Sequence, residues 1–202
     1  MAAPRGRPRR FDRDKAVDKA MLLFWEHGYE STSLAQLRES IGGISAASFY
    51  VAFDSKEALF KEAVDRYVAS HGQAIAPLWD LSCSPRKALE QALRNSARMQ
   101  TDHAHPQGCL LVMGASTCSP ENGHIQALLI KERERTRGGV RSCLERAREC
   151  GEIPAKKDIV TLATLFETFL FGITIQARDD TSLHAFDSAI TEIMMLLDKP
   201  SS

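Results

Sequence analysis

Hydroxyl, phenol and ammonium groups recur at short intervals between Ser31 and Glu57, in the stretch STSLAQLRESIGGISAASFYVAFDSKE. Arg5, Arg7, Arg9 and Arg10 precede it, with no acid among the first ten residues. Groups of this kind donate hydrogen bonds and charge to phosphate oxygens. They are not arranged for bond making: the chain has no nucleophile elbow, no phosphate-cradling glycine loop, no HExxH and no paired carboxylates framed by a cleft. The residues point to recognition of a polyanion, not to an enzyme, and no cofactor is expected.

A second reactive stretch is HAHPQGCLLVMGASTCSP, from His103 to Pro120. A thiolate at Cys109 could react with electrophiles or oxidants if its pKa were depressed, whereas a buried structural cysteine would be inert. His103, His105, Cys109 and Cys118 form a poor metal set, lacking a carboxylate and a CxxC pair, so no metal is expected. The five cysteines, Cys83, Cys109, Cys118, Cys143 and Cys150, are an odd number and imply no disulfide framework.

Short helices must position the first set. Ser33 can cap a helix over Leu34 to Glu39, with Leu34, Leu37 and Ile41 facing inward. Gly42 and Gly43 stop it and permit a sharp turn. Ser45 then caps Ala46 to Phe53, where Phe49 and Phe53 bury together and leave Ala46, Ala47, Ser48, Tyr50 and Val51 outward. Asp54 and Glu57 read as a capping box opening Ser55 to Ser70. Before all of these, Val17, Ala20, Met21, Phe24 and Trp25 line one face of a helix from Asp14 to His27, ended by Gly28. Two short helices and a tight turn can hold the second helix in the major groove while the first braces it.

From Ala16 to Phe60, the order AMLLFWEHGYESTSLAQL, GISAASFYVAF and DSKEALF resembles the DNA-binding domain of the TetR/AcrR family of bacterial transcriptional repressors. The resemblance implies an all-α fold: an N-terminal three-helix helix-turn-helix domain over 12–54, behind a basic flexible arm over 1–11, and a helical regulatory and dimerisation domain over 55–202. It also implies phosphate contacts from Thr32 and Ser33, from Tyr50 on the recognition helix, and from Lys56. Two departures stand out. The turn IGGIS is one residue longer than the common form, and Ala46, Ala47 and Val51 carry no polar base reader. Bidentate base contacts are therefore unavailable there. Specificity would rest on thymine-methyl contacts from the alanines, on Ser45 and Ser48, on DNA shape, and on Arg5, Arg7 and Arg9 reaching a narrow minor groove. The GCLL run at Cys109 resembles a branch of the family that senses electrophiles through a cysteine at this place.

Ser55 to Ser70 would then be the lever joining head to body. Gly72 and Pro77 interrupt it, and Trp79 and Leu81 read as a short buried link. Helices are expected from Pro85 to Gln100, capped by Ser84, over the apolar Gly108 to Ala115, and from Glu121 to Cys150 with a kink at Gly138 and Gly139. An inducer pocket would draw on Cys109, Met113, Trp79, Met99 and Phe166, although periodicity alone equally allows them to fill a core. The last two helices are apolar nearly all round, which implies a partner surface; the resemblance makes it a four-helix dimer interface built from Phe166, Phe169, Leu170, Ile173, Phe186, Ile190 and Ile193, with a buried monomer core as the alternative. A homodimer with a twofold axis demands a near-palindromic double-stranded operator.

Formal net charge is zero over 202 residues, so the basic leader is offset further along the chain. No signal peptide is evident and no stretch approaches the length and apolarity of a membrane span, which predicts a cytoplasmic protein without membrane contact. The alternative is a helical protein-interaction adaptor that leaves its N-terminal helices idle.

Overall fold

The computed structural model describes residues 11–198. Among them the order is α1 (Arg13–Ser31), α2 (Leu34–Ser40), α3 (Ala46–Phe53), α4 (Lys56–Ala69), a 3₁₀ segment (His71–Trp79), α5 (Pro85–Thr101), the single turn α6 (Leu110–Met113), α7 (Gly123–Glu149), α8 (Ile159–Arg178) and α9 (Leu183–Met195).

Local chemistry sets most of these boundaries. Asp12, Ser33, Ser45, Ser55, Ser84, Asp158 and Ser182 each accept a backbone N–H at the helix start that follows them. Ser33 and Gln36 form a full capping box. At the start of α4 the cap is Ser55, not Asp54: Ser55 Oγ accepts from Ala58 N, while Asp54 closes α3 with φ 59°. At Gly28 the backbone breaks from helical geometry, with φ 76° and ψ 170°. That conformation favours glycine, and it lets Tyr29 N donate to Gly114 O at 2.7 Å.

Two apolar cores form. The first joins Val17, Phe24, Trp25, Leu37, Phe49, Phe53, Phe60 and Tyr67 and crosses to Leu110, Leu111, Ile125 and Leu129. It therefore runs past residue 54 and includes the inner face of α4, α6 and the start of α7. The second lies among α5, α7, α8 and α9, and includes Leu89, Leu93, Val140, Leu144, Phe166, Leu170, Phe186 and Ile190. Arg94, held by Glu90 of the same helix at 2.8 Å, ties α5 to α9 by pairing with Asp187 at 2.9 Å.

Four expectations about elements need correction. Gly108 to Ala115 holds only one helical turn, because Gly108 precedes it at φ 80° and Gly114 ends it. α7 runs unbroken through Gly138 and Gly139. Gly139 serves packing instead, since a Cβ there would sit 2.7 Å from Trp79 Cζ2. The buried residue of the link is Leu78, at 1% exposure, whereas Trp79 and Leu81 are exposed. Finally, α8 is long and apolar enough to cross a membrane, with mean hydropathy 1.6. It is a core helix here: Leu162, Phe166, Leu170 and Ile173 pack inward in the second core, and Thr161, Thr164, Glu167 and Thr168 interrupt its outer surface.

Candidate nucleic-acid interface and regulatory cavity

Phe49 and Phe53 anchor α3 in the first core, their ring centroids 5.4 Å apart. That turns Ser45, Ala46, Ala47, Ser48, Tyr50 and Val51 outward, all of them exposed, with Val51 the most open at 88%. Ser45 Oγ lies 2.9 Å from Ser48 Oγ and caps the helix through Ser48 N.

The long turn before α3 is closed by a residue that periodicity did not single out. Gly43 N and Ile44 N both donate to Arg38 O, and the Arg38 Nε–H donates to Ile44 O at 2.9 Å. Gly42 and Gly43 take φ 123° and 70°, in open space. The extra residue is thus absorbed by two left-handed glycines and one arginine, and the two helices keep their brace.

The residues expected to touch phosphate divide. Thr32 is fully buried and its hydroxyl donates to Gly28 O at 2.6 Å. It stabilises the end of α1 and has no surface to offer a phosphate. Ser33 is exposed, with its hydroxyl engaged by Gln36 Oε1 at 2.7 Å. Tyr50 is half exposed. Lys56 sits with Nζ 4.3 Å from the centroid of the Tyr29 ring, and burial pulls its pKa below the ordinary lysine value. Arg5, Arg7 and Arg9 lie outside the described residues. At the start of α1, Arg13 donates to Ala52 O at 3.2 Å and to Glu62 at 2.6 Å.

A cavity of about 260 Å³ opens between α4, the 3₁₀ segment, α5, α7 and α8. Cys109, Met99 and Trp79 line it, as expected. Met113 does not, and instead borders a smaller cleft of about 150 Å³ between α1 and the loop after α6. Phe166 is wholly buried in the second core and leaves the cavity too. Missed at the sequence level were Ser96, Gln100 and Thr174, a buried polar chain in the cavity wall. Thr174 Oγ1 donates to Gln100 Oε1 at 2.7 Å, and Gln100 Nε2 donates to Ser96 Oγ at 2.9 Å.

Cys109 does not have the depressed pKa a reactive sensor needs. Burial pushes its thiol above the ordinary value, and the Tyr67 hydroxyl donating at 3.3 Å, the amides of Val112 and Leu111, and nearby Arg133 pull the other way without prevailing. The sign is direct: a raised pKa keeps the thiol protonated at neutral pH. Site-resolved alkylation by iodoacetamide should therefore be slower at Cys109 than at free cysteine at pH 7, with its pH profile displaced upward. Faster alkylation than free cysteine at pH 7 would reverse this reading. Among the described residues, no group of three or more His, Cys, Asp or Glu is placed to hold a metal ion.

The expected dimer residues also divide. Phe166, Leu170, Ile173, Phe186 and Ile190 face the chain's own second core. Phe169 and Ile193 are half-buried against it. What α8 leaves outward is a different stripe, Thr161, Leu165, Thr168, Gly172 and Ile175, spaced alternately by four and three residues.

Residues 16–63 match the model for bacterial regulatory proteins of the tetR family, and residues 85–193 match the tetracyclin repressor-like C-terminal domain. The HTH-type transcriptional repressor ComR of Escherichia coli K12 is 38% identical over 183 residues, covering 89% of this chain and 85% of ComR. The chain belongs to the TetR family. It is a helix-turn-helix DNA-binding transcriptional regulator of the repressor type, with the all-helical architecture of that family. A cysteine mutant of the TetR family regulator CifR, complexed with 26-bp double-strand operator DNA, superposes with TM-score 0.86 at 35% identity, covering 95% of this chain and all of that one. The reduced form of Escherichia coli NemR, at 20% identity and TM-score 0.74, shares the fold over 94% of this chain and 98% of its own.

Proposed function

We propose that this TetR regulator is a homodimeric repressor that holds a near-palindromic operator and lets go when a small molecule occupies the 260 Å³ cavity. The observation that carries the reading is the position of that cavity against the inner side of α4, whose other contacts hold the DNA-binding head. Tyr67, Val68 and His71 at the end of α4 and just beyond it line the cavity, while Leu59, Phe60 and Ala63 on the same helix pack in the head core. A ligand there favours whichever α4 position leaves it room. Only a difference in affinity between the two positions can change DNA binding.

The recognition surface is Ser45 to Val51 of α3. Arg5, Arg7 and Arg9 supply further phosphate or minor-groove charge, and Tyr50 and Lys56 brace the backbone. The outward α8 stripe is the part of the dimer face that a monomer leaves uncovered. A repressor of this kind works in the cytoplasm, where its operator is. The upward shift of the Cys109 thiol pKa supports reversible occupancy as the primary signal, with covalent capture by an electrophile secondary.

Binding to a duplex carrying the DNA upstream of its own gene tests the head. Log affinity should fall steeply with log salt, and changing Arg5, Arg7 and Arg9 together to Ala should make that slope shallower by about two to three. A salt-independent interaction, or none in dilute buffer, would favour the protein-interaction adaptor.

A further inference from the structure

We infer that the cavity selects a small uncharged molecule, largely apolar, that presents one hydrogen-bond-accepting oxygen, such as a ketone or ether, to the side-chain amide of Gln100. The inference rests on the cavity being the effector site and adds the chemistry of what it takes. Gln100 and Ser96 are 2% and 3% exposed, and Thr174 is fully buried. An amide has two N–H donors and one carbonyl acceptor. In the arrangement found, Oε1 accepts from Thr174, one N–H donates to Ser96, and the second N–H has no acceptor among the described residues. Turning the amide over changes nothing essential: Ser96 would donate to Oε1, Nε2 would donate to Thr174, and one N–H would still be left. A buried donor without an acceptor is costly, and a ligand oxygen removes that cost.

The rest of the wall fixes the remainder of the molecule. Met99, Leu111, Val112, Leu170 and Phe171 offer apolar surface, so the body of the ligand is hydrocarbon or aromatic. Charge is confined to α7, where Glu132 opposes Arg133 and Arg135. Arg133 is committed to the carbonyl of Leu111, and Arg135 lies 5.1 Å from the centroid of the Trp79 ring. The buried end is neutral, and a carboxylate placed there would be desolvated with no cation to meet it.

The test uses the full-length protein and three probes of equal non-hydrogen atom count: acetophenone, isopropylbenzene and benzoate, each titrated calorimetrically. Acetophenone should bind about tenfold more tightly than isopropylbenzene, and benzoate more weakly than the ketone. In Gln100→Met the preference for the ketone should fall to about one while hydrocarbon affinity is retained. Should that variant fail to fold, the wild-type comparison of the three probes decides by itself. Equal affinity for ketone and hydrocarbon, or benzoate binding most tightly, overturns the assignment while leaving the cavity as a ligand site. If all three fail to bind at millimolar concentration, both the assignment and the effector-site reading fall.

Discussion

Val51→Glu should abolish operator binding at physiological salt, weakening it at least about 100-fold, without lowering the melting temperature. Val51 is 88% exposed on the outward face of α3, two residues from each of the buried Phe49 and Phe53 that anchor the helix and so on its opposite side. Its side chain supports no packing, so a change there acts on DNA or not at all. A carboxylate carried into the major groove on this face meets the phosphate field without a counter-charge, since neither Ala46 nor Ala47 can offer one. Leu81→Glu, at a body position 78% exposed, is the control and should bind as the parent protein does. Anisotropy of a labelled duplex with both variants, beside thermal melts, gives the answer. A Val51→Glu protein that binds normally would remove α3 from the groove.

The head was legible because its rules are local. A serine before an apolar period, a pair of glycines after one, and two phenylalanines four apart each act over a few residues, and Ser33, Ser45, Ser84, Phe49 and Phe53 all took the roles that spacing assigned. Where two caps competed, spacing chose wrongly. Asp54 and Glu57 fit a capping-box pattern, yet the left-handed Asp54 leaves Ser55 as the residue with extended backbone and a free hydroxyl. Thr32 failed for a related reason: a hydroxyl beside a helix end can face the groove or its own chain, and the carbonyl freed at Gly28 claimed it.

Less of the body could be read, because its decisive contacts join distant residues. Gln100 looks like a polar residue on the last turn of a helix until Thr174, 74 positions later, is brought against it. Gly139 looks like a kink until Trp79 is laid across it. On α8 and α9 the apolar residues run almost all round, so periodicity reveals that two stripes are covered but not which one the chain covers itself. Phe166 and Ile190 proved internal, and the less apolar Thr161–Leu165–Thr168–Gly172–Ile175 stripe was left outward.

Arg178→Ala should weaken the coupling between the cavity and the DNA-binding head. Arg178 ends α8 one turn after Thr174, the residue that meets Gln100 in the cavity wall. From there its guanidinium reaches back across the chain, donating to Trp25 O at 2.8 Å, to Glu26 O at 3.3 Å and to Gln107 O at 3.2 Å. The first two carbonyls lie just before Gly28 breaks α1, where helix carbonyls lack partners and carry partial negative charge. One cation thus fastens the end of the first head helix to a helix that lines the cavity. With alanine, the head keeps its own core but loses this fixed attachment. Operator affinity should fall about tenfold from the cost of ordering the head on DNA. Any compound that releases the parent protein from its operator should then change the variant's affinity by a several-fold smaller factor, the remainder passing through α4, where allosteric coupling ordinarily amounts to about 5- to 150-fold. Arg178→Lys should recover little, because an ammonium is a point donor and cannot span three carbonyls in a planar fork. Hydrogen exchange supplies the independent check: amides from 25 to 30 should lose protection in Arg178→Ala while those of α3 do not. Full ligand response in Arg178→Ala would mean that the signal travels through α4 alone.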